Sequence, residues 1–319
     1  MFHYDRGLKL TGIDLAIDIC RRQPRAFVSH AHGDHMARHE LALGTPATLR
    51  LYQLRLGDRP TRELPYRCPL DWGPLRLTTY PAGHCLGSAM LLAQSEQGSL
   101  LYTGDFKLSP SATAEAAELP HADVLVMEST FGDPRYRHPP RDRAIESLVD
   151  RVRDCFRRGA TPVVRSYALG KSQEVTRLLS NEGFAVLQHP KVYEISRVYE
   201  ACGVSLGNFG RLQRPAPAGH VLIVPPPHSP EPWIEPRRRY TTIAVTGWAG
   251  SGMPRRQARA DYAIALSDHA DYGELLEAIE RVKPSEIYCT HGPREFADHL
   301  RTKGYNAYSL ESSRRVAAR

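Results

Sequence analysis

Residues 26–36 read Ala-Phe-Val-Ser-His-Ala-His-Gly-Asp-His-Met, so that His30, His32, Asp34 and His35 crowd into six positions directly after a short apolar run. Imidazole and carboxylate are the donors that divalent transition metals take. In an extended loop His30 and His32 reach one ion together, while Asp34 and His35 reach a neighbouring one. A solvated polar loop with capping side chains is the alternative, and the density of donors behind a strand argues against it. Such a loop constrains the whole fold, because other segments must bring the missing donors to the same place.

The arrangement recurs along the chain. "LRLTTYPAG" leads to His84, "LLYTG" to Asp105, "VLVM" to Glu128, "AIALSD" to His269 and "IYCT" to His291. Short runs rich in Val, Ile, Leu and Tyr read as strands, and α/β proteins build sites where strands end. His84 and Asp105 are the natural completions of the metal loop, and the glycines beside them permit close backbone approach. Taken singly, His84 reads as a satisfied core histidine and Asp105 as a turn cap; in company they read as ligands.

The middle of the chain has a different character. Ile145, Leu148, Val149, Val152 and Phe156 follow helical spacing up to Gly159. "TPVV", "FAVLQ", "HVLIV" and "TTIAVT" read as strands, and "GKSQEVTRLL" and "KVYEISRVYEACG" as helices. That alternation implies a small α/β unit with some parallel pairing, inserted as residues 135–258 into a domain made of 1–134 and 259–319. A Pro-rich interval, Pro215 to Pro236, reads as a solvated loop. After the insertion, Asp271 and Glu274 form a capping box for a helix carrying Leu275, Leu276, Ile279 and Val282.

With 319 residues the chain can bury a sizeable core. No apolar run nears the roughly 18 residues of a membrane span, and no secretory segment opens the chain, so a cytoplasmic protein is expected. The six cysteines never form a C-x-x-C pair, which reads as free thiols and excludes a zinc ribbon. A net charge of +7, with Arg far outnumbering Lys, favours a phosphate-bearing partner.

"SHAHGDH", "PAGHCLGSA", "LYTGDF" and the strand-end His291 in "CTHG" resemble the successive motifs of the metallo-β-lactamase superfamily. "VMESTFGDP", the inserted α/β segment and "LSDHADY" resemble its β-CASP nuclease branch. "ESTFGDPRYRHPP", "YALGKSQE" and "VTGWA" are most similar to the short bacterial DNA-ligase-associated exonucleases. The resemblance implies an αββα sandwich with an inserted β-CASP cap and two divalent metals, Zn²⁺ or Mn²⁺, between the sheets. It further implies His30, His32 and His84 on the first metal, Asp34, His35 and His291 on the second, and Asp105 bridging. Asp18 in "LAIDIC" falls where the family has a structural Asp. Glu128 would orient His269, which would contact the scissile phosphate and protonate the leaving oxygen.

The activity so implied is metal-dependent DNA exonuclease action in repair, leaving 5′-phosphates, with Asp34 orienting the attacking water and a functional association with a DNA ligase. RNA processing by the same site is the alternative, and a small-ester or thioester hydrolase is a third reading. Polarity, strand preference and oligomeric state are left open. Gly170-Lys171-Ser172 lacks the first glycine of a phosphate loop, since that position is Arg165, which excludes nucleoside-triphosphate binding. A milder reading places a nucleic-acid phosphate on Arg165, Ser166, Lys171 and the helix N-terminal amides. A basic wall of Arg135, Arg137, Arg141, Arg143, residues 237–239, Arg255, Arg256 and Arg259, with Tyr136, Tyr167 and Trp248 stacking bases, competes with an ordinary solvated basic face.

Overall fold

The computed structural model describes residues 2–4, 7–226, 238–251, 259–310 and 316–317. The expectations for Arg237, Arg255, Arg256 and the end of the Pro-rich interval lie outside the described residues. The chain opens with β1 (Phe2–Tyr4), β2 (Leu8–Leu10), β3 (Leu15–Ile17), β4 (Arg25–Phe27), β5 (Leu41–Gly44), α1 (Pro46–Leu56) and β6 (Thr61–Glu63). β7 (Leu70–Trp72), β8 (Leu75–Pro81), β9 (Ala89–Ser95), β10 (Gly98–Tyr102) and β11 (Val124–Glu128) follow. The middle contributes α2 (Arg141–Arg157), β12 (Thr161–Arg165), α3 (Lys171–Asn181), β13 (Val186–Gln188), α4 (Pro190–Ala201), β14 (Phe209–Arg211), β15 (Val221–Val224), β16 (Tyr240–Val245) and β17 (Tyr262–Ile264). The last stretch holds α5 (Tyr272–Val282), β18 (Glu286–Thr290), α6 (Glu295–Thr302), β19 (Ala307–Ser309) and β20 (Val316–Ala317).

Two compact units result: one from residues 1–110, 114–135 and 269–319, the other from 111–113 and 136–268. The first contains two sheets, ordered β20-β1-β2-β3-β4-β5-β6 and β19-β18-β11-β10-β9-β8-β7. Side chains alternate across a strand, and the second sheet uses both faces. From β9, Leu91 and Ala93 join Leu10, Ile17, Phe27 and Leu43 of the first sheet in the core between the sheets. Met90 and Leu92 of the same strand pack instead with Leu275, Ile279, Phe296 and Leu300 of α5 and α6. With α1 against β5 and β6, this is the αββα sandwich.

The inserted unit is a single sheet ordered β14-β13-β15-β12-β16-β17. Its registered strand pairs are all parallel. Leu148 and Val152 of α2, Val175 and Leu179 of α3 and Val192 of α4 cover one face over Val164, Ile223 and Ile243. The unit ends at residue 268, ten positions beyond the boundary at 258 expected from sequence, because β17 pairs with β16 and extends this sheet.

α5 starts as its capping box requires. Asp271 Oδ1 accepts the Glu274 amide at 2.9 Å, and Glu274 Oε2 accepts the Asp271 amide at 3.3 Å. Replacing Asp271 by Ala is expected to cost about 1 kcal/mol; urea denaturation unchanged from the parent protein would show that the cap contributes nothing.

Candidate metal centre

Each donor sits where a strand of the sandwich runs out. Asp18 follows β3, His30 to His35 follow β4, His84 follows β8, Asp105 follows β10, Glu128 ends β11 and His291 follows β18. The turns that release them are sharp. Asp18 and His291 take the left-handed conformation, with φ of 47° and 54°, a region that Asp and His enter more readily than most residues. Gly104 has φ 56°, and a Cβ there would lie 2.7 Å from Ser29 Oγ, so the loop presenting Asp105 meets the His30 loop only because that position is glycine.

Ligand atoms of His30, His32, His84 and Asp105 all lie within 4.8 Å of one another, as do those of His35, Asp105 and His291. Asp105 belongs to both groups. Its Oδ2 is 3.4 Å from His30 Nε2, 3.4 Å from His35 Nε2 and 3.9 Å from His84 Nε2. His32 Nδ1 stands 3.0 Å from His30 Nε2 and 3.1 Å from His84 Nε2. The rings of His35 and His291 stack with centroids 5.0 Å apart. Asp34 falls outside both groups; its side chain is 74% exposed and its carboxylate is 3.9 Å from His35 Nε2.

Burial pushes His30 well below the ordinary histidine range, and the neighbouring charge of His35 adds to this. A neutral imidazole is the form that ligates. Burial also opposes a charged His35, but Asp105 and Asp18 outweigh it and hold that ring well above the usual value. Burial would likewise raise Asp105, yet His35, His269 and His30 keep it well below the carboxylate range. His35 Nε2 is buried and makes no hydrogen bond among the described residues. An ionised carboxylate ringed by imidazoles, one with an unsatisfied nitrogen aimed inward, fits divalent cations held by N and O donors.

Further residues aim this set. Asp18 Oδ2 accepts hydrogen bonds from Ser29 Oγ at 2.5 Å and from Tyr102 Oη at 2.9 Å, and lies 2.9 Å from His35 Nδ1. Its Oδ1 accepts the Ser29 amide at 2.8 Å. His35 is thereby fixed through one nitrogen with the other facing Asp105. His269 Nδ1 lies 3.1 and 3.0 Å from the two oxygens of Glu128. Glu128 Oε1 also accepts the Phe106 amide at 2.8 Å, and the Phe106 carbonyl accepts the amide of Ala270 at 2.6 Å. Phe106, the neighbour of Asp105, thus ties the metal loop to the Glu128–His269 pair. A ligand atom from each of Asp105, Glu128 and His269 lies within 4.8 Å of the others.

Comparison with known proteins bears on this arrangement. Residues 253–310 match the model of the Zn-dependent metallo-hydrolase RNA specificity domain. A probable DNA ligase from Opitutus terrae is 36% identical over 314 residues, covering 96% of this chain and 31% of that protein. The 5′ exonuclease Apollo of Gallus gallus is 28% identical over 301 residues, 88% of this chain and 62% of its own. RNase aCSPSF2 of Saccharolobus solfataricus is 30% identical over 221 residues, 59% of this chain and 44% of that protein. The chain belongs to the metallo-β-lactamase superfamily, in its β-CASP nuclease branch. It spans about a third to two thirds of the length of these relatives.

The expectation of a phosphate held at the N-terminus of α3 needs correction. Ser166 and Lys171 do not present themselves to a phosphate. Both are 1% exposed. Ser166 Oγ is 2.8 Å from Ser172 Oγ, and Lys171 Nζ is 3.2 Å from Asp268 Oδ1. Arg165 donates to the Arg259 carbonyl. The strand-to-helix turn is a packed interior feature, because α3 buries its first turn as well as its apolar face. Several expected wall arginines are spoken for as well: Arg135 pairs with Asp133, Arg143 with Glu146 and Arg141 with Glu174. Tyr136 packs edge-on to Trp248 at 5.4 Å, whereas Tyr167 is 54% exposed.

Ser29, Tyr102 and the Phe106 backbone were not singled out from sequence. Their proximity to the donors in "VSHAHGDH" and "LYTGDF" was the available signal. Glu128→Ala would strand the buried Phe106 amide as well as freeing His269, an expected loss on the order of 1–3 kcal/mol. Glu128→Gln retains an acceptor oxygen and should lose less; equal losses on urea denaturation would show that the Phe106 contact carries no weight.

Proposed function

We propose that the chain is a two-metal phosphodiesterase acting as a DNA exonuclease in repair. The observation that carries this reading is the Asp105 carboxylate shared by two groups of donors, beside a histidine held by a buried glutamate. His30, His32 and His84 would hold one ion, His35 and His291 the other, and Asp105 both; Asp34, expected on the second ion, lies outside that group and its side chain is turned to solvent. Zn²⁺ suits this N/O set and Mn²⁺ is accepted by it. Such a metal pair supplies an acidified water and charge neutralisation at the phosphate.

The protein's own contribution is orientation and proton transfer. Asp34, exposed at the rim of the donor groups, is free to orient the attacking water. Glu128 takes the Nδ1 side of His269, which leaves Nε2 as the nitrogen that exchanges a proton with the departing 3′ oxygen, so the product carries a 5′-phosphate. Phe106 keeps Glu128 and the backbone after His269 in register with Asp105. The αββα unit is the hydrolase in this reading and the inserted α/β unit its cap. The six free cysteines suit a reducing cytoplasm, and no helix of the described residues is long and apolar enough to cross a membrane.

DNA is favoured by the probable DNA ligase that matches nearly the whole of this chain within less than a third of its own length. A functional association with a ligase follows, since trimming an end prepares it for sealing. RNA processing is the second reading, favoured by the RNA specificity domain match and by the RNase relative. A small-ester or thioester substrate is disfavoured, because it needs neither the inserted unit nor the Glu128–His269 pair.

End-labelled single- and double-stranded DNA and RNA, incubated with Zn²⁺ or Mn²⁺, test the proposal directly. DNA shortened from one end with 5′-phosphate products is expected; digestion of RNA alone favours the second reading, and no digestion of either overturns the nuclease assignment. His269→Ala should lower turnover about 10²–10⁴-fold with metal content unchanged, and near-normal turnover would remove His269 from the mechanism.

A further inference from the structure

Helix α1 borders both loops that carry the first group of donors, and all of these residues belong to the sandwich unit. At its N-terminal end the hydroxyls of Thr45 and Thr48 donate to the Gly87 carbonyl, in the loop that carries His84, at 2.6 and 2.8 Å. Toward its other end Tyr52 Oη donates to the Ala37 carbonyl at 2.7 Å. Arg55 Nη1 donates to the carbonyl of Ala31, the residue between His30 and His32. The helix has 11 residues and is therefore about 16 Å long, so a single element flanks the centre from one donor loop to the other.

The charge of this helix has one sign. Pro46–Leu56 contains Arg50 and Arg55 and no acidic residue. Thr48, Leu49, Leu51 and Tyr52 are buried, whereas Arg50, Leu54 and Arg55 are exposed. Arg38, just past the metal loop, is exposed as well, and Arg59, just past the helix, is half-buried. Among the described residues no carboxylate forms an ion pair with Arg38, Arg55 or Arg59, in contrast to Arg141, Arg143 and Arg153 of α2, which are paired with Glu174, Glu146 and Glu182. A guanidinium carries five donors in a planar fork, and Arg55 uses one of them on Ala31. A side chain at position 33 would lie against its other terminal nitrogen, with a Cβ 3.7 Å away; Gly33 leaves that nitrogen uncovered. The last turn of a helix favours a cation, which accounts for Arg55 by itself but not for Arg38 and Arg59 beside it.

We propose that Arg55, with Arg38, Arg50 and Arg59 around it, holds backbone phosphates of a nucleic-acid strand that runs along α1 to the metal centre. The inference rests on the reading of the chain as a phosphodiesterase and assigns a strand-binding surface to it. Guanidinium forks match phosphate oxygens in geometry and charge. One amine of Arg55 keeps the His30–His32 backbone in place while the uncovered edge of the same fork takes a phosphate oxygen next to the scissile linkage. Such contacts set the register of the strand and carry no information about its bases.

The test titrates the full-length, metal-loaded protein with end-labelled phosphorothioate DNA and RNA strands, which keep the backbone charge and resist cleavage, over a series of salt concentrations. Arg55→Ala, the double variant R38A/R59A and Arg76→Ala are compared with the parent protein. Arg76 pairs with Asp71 at the β7–β8 hairpin and serves as a control for net charge alone, so its removal should leave affinity unchanged. Arg55→Ala is expected to weaken binding about tenfold or more, and to reduce the slope of log affinity against log salt by about 0.7, at unchanged metal content. Unchanged affinity and slope in a folded, metal-loaded Arg55→Ala protein would overturn the proposal, as would an equal loss in Arg76→Ala. If Arg55→Ala does not fold or loses metal through its contact with Ala31, R38A/R59A decides, because it leaves that contact intact: a shallower salt slope supports the surface and an unchanged one overturns it. A parent protein that neither binds nor digests either strand overturns the phosphodiesterase reading and this inference with it, whereas a parent that digests nucleic acid beside variants of normal affinity overturns only the role of α1.

Discussion

A carboxylate buried among imidazoles is the arrangement on which this architecture depends. Asp105 is 6% exposed and stays ionised because His35, His269 and His30 surround it. Taking a lone carboxylate out of water costs many kilocalories per mole, so the loop after β10 holds its place only while the loops after β4, β8 and β18 hold theirs. The alternating faces of β9, β10, β11 and β18 supply that rigidity, with one face in the inter-sheet core and the other under α5 and α6. Strand ends in such a doubly covered sheet have little freedom, and the donors inherit that precision.

Much of this was legible in the linear order of residues. Donor-rich loops follow recognisable strands, and His30, His32, His35, His84, Asp105 and His291, expected together from strand ends and from the family resemblance, have ligand atoms in two overlapping groups. The helices of the inserted unit were legible from spacing, and its strands from β-branched runs. Asp34 shares the motif, yet its side chain turns to solvent, since adjacency in a loop does not fix direction.

What was not legible depends on contacts far apart in the chain. Tyr102 meets Asp18 across 84 positions and Ala270 meets Phe106 across about twice that separation; neither leaves a local pattern. Lys171 read as a phosphate ligand because the amides of a helix N-terminus beside a cationic side chain suit an anion. Its burial follows from the polar packing of the first turn of α3, which no hydropathy pattern announces. The end of the inserted unit was placed early for a similar reason: β17 is three residues long and is recognised only by its pairing with β16.

The proposed reaction acts on a phosphodiester, and that linkage is common to DNA and RNA. Nothing in the donor set touches the sugar by necessity, so discrimination between the two must come from side chains that reach the 2′ position or stack the bases. In the inserted unit the described arginines near α2 are largely tied to Asp and Glu, which leaves exposed Tyr167 among the few aromatic faces presented to solvent. Under the proposed function, substrate choice is therefore a property of the walls, while rate depends on how firmly Glu128 and the Phe106 backbone hold one imidazole.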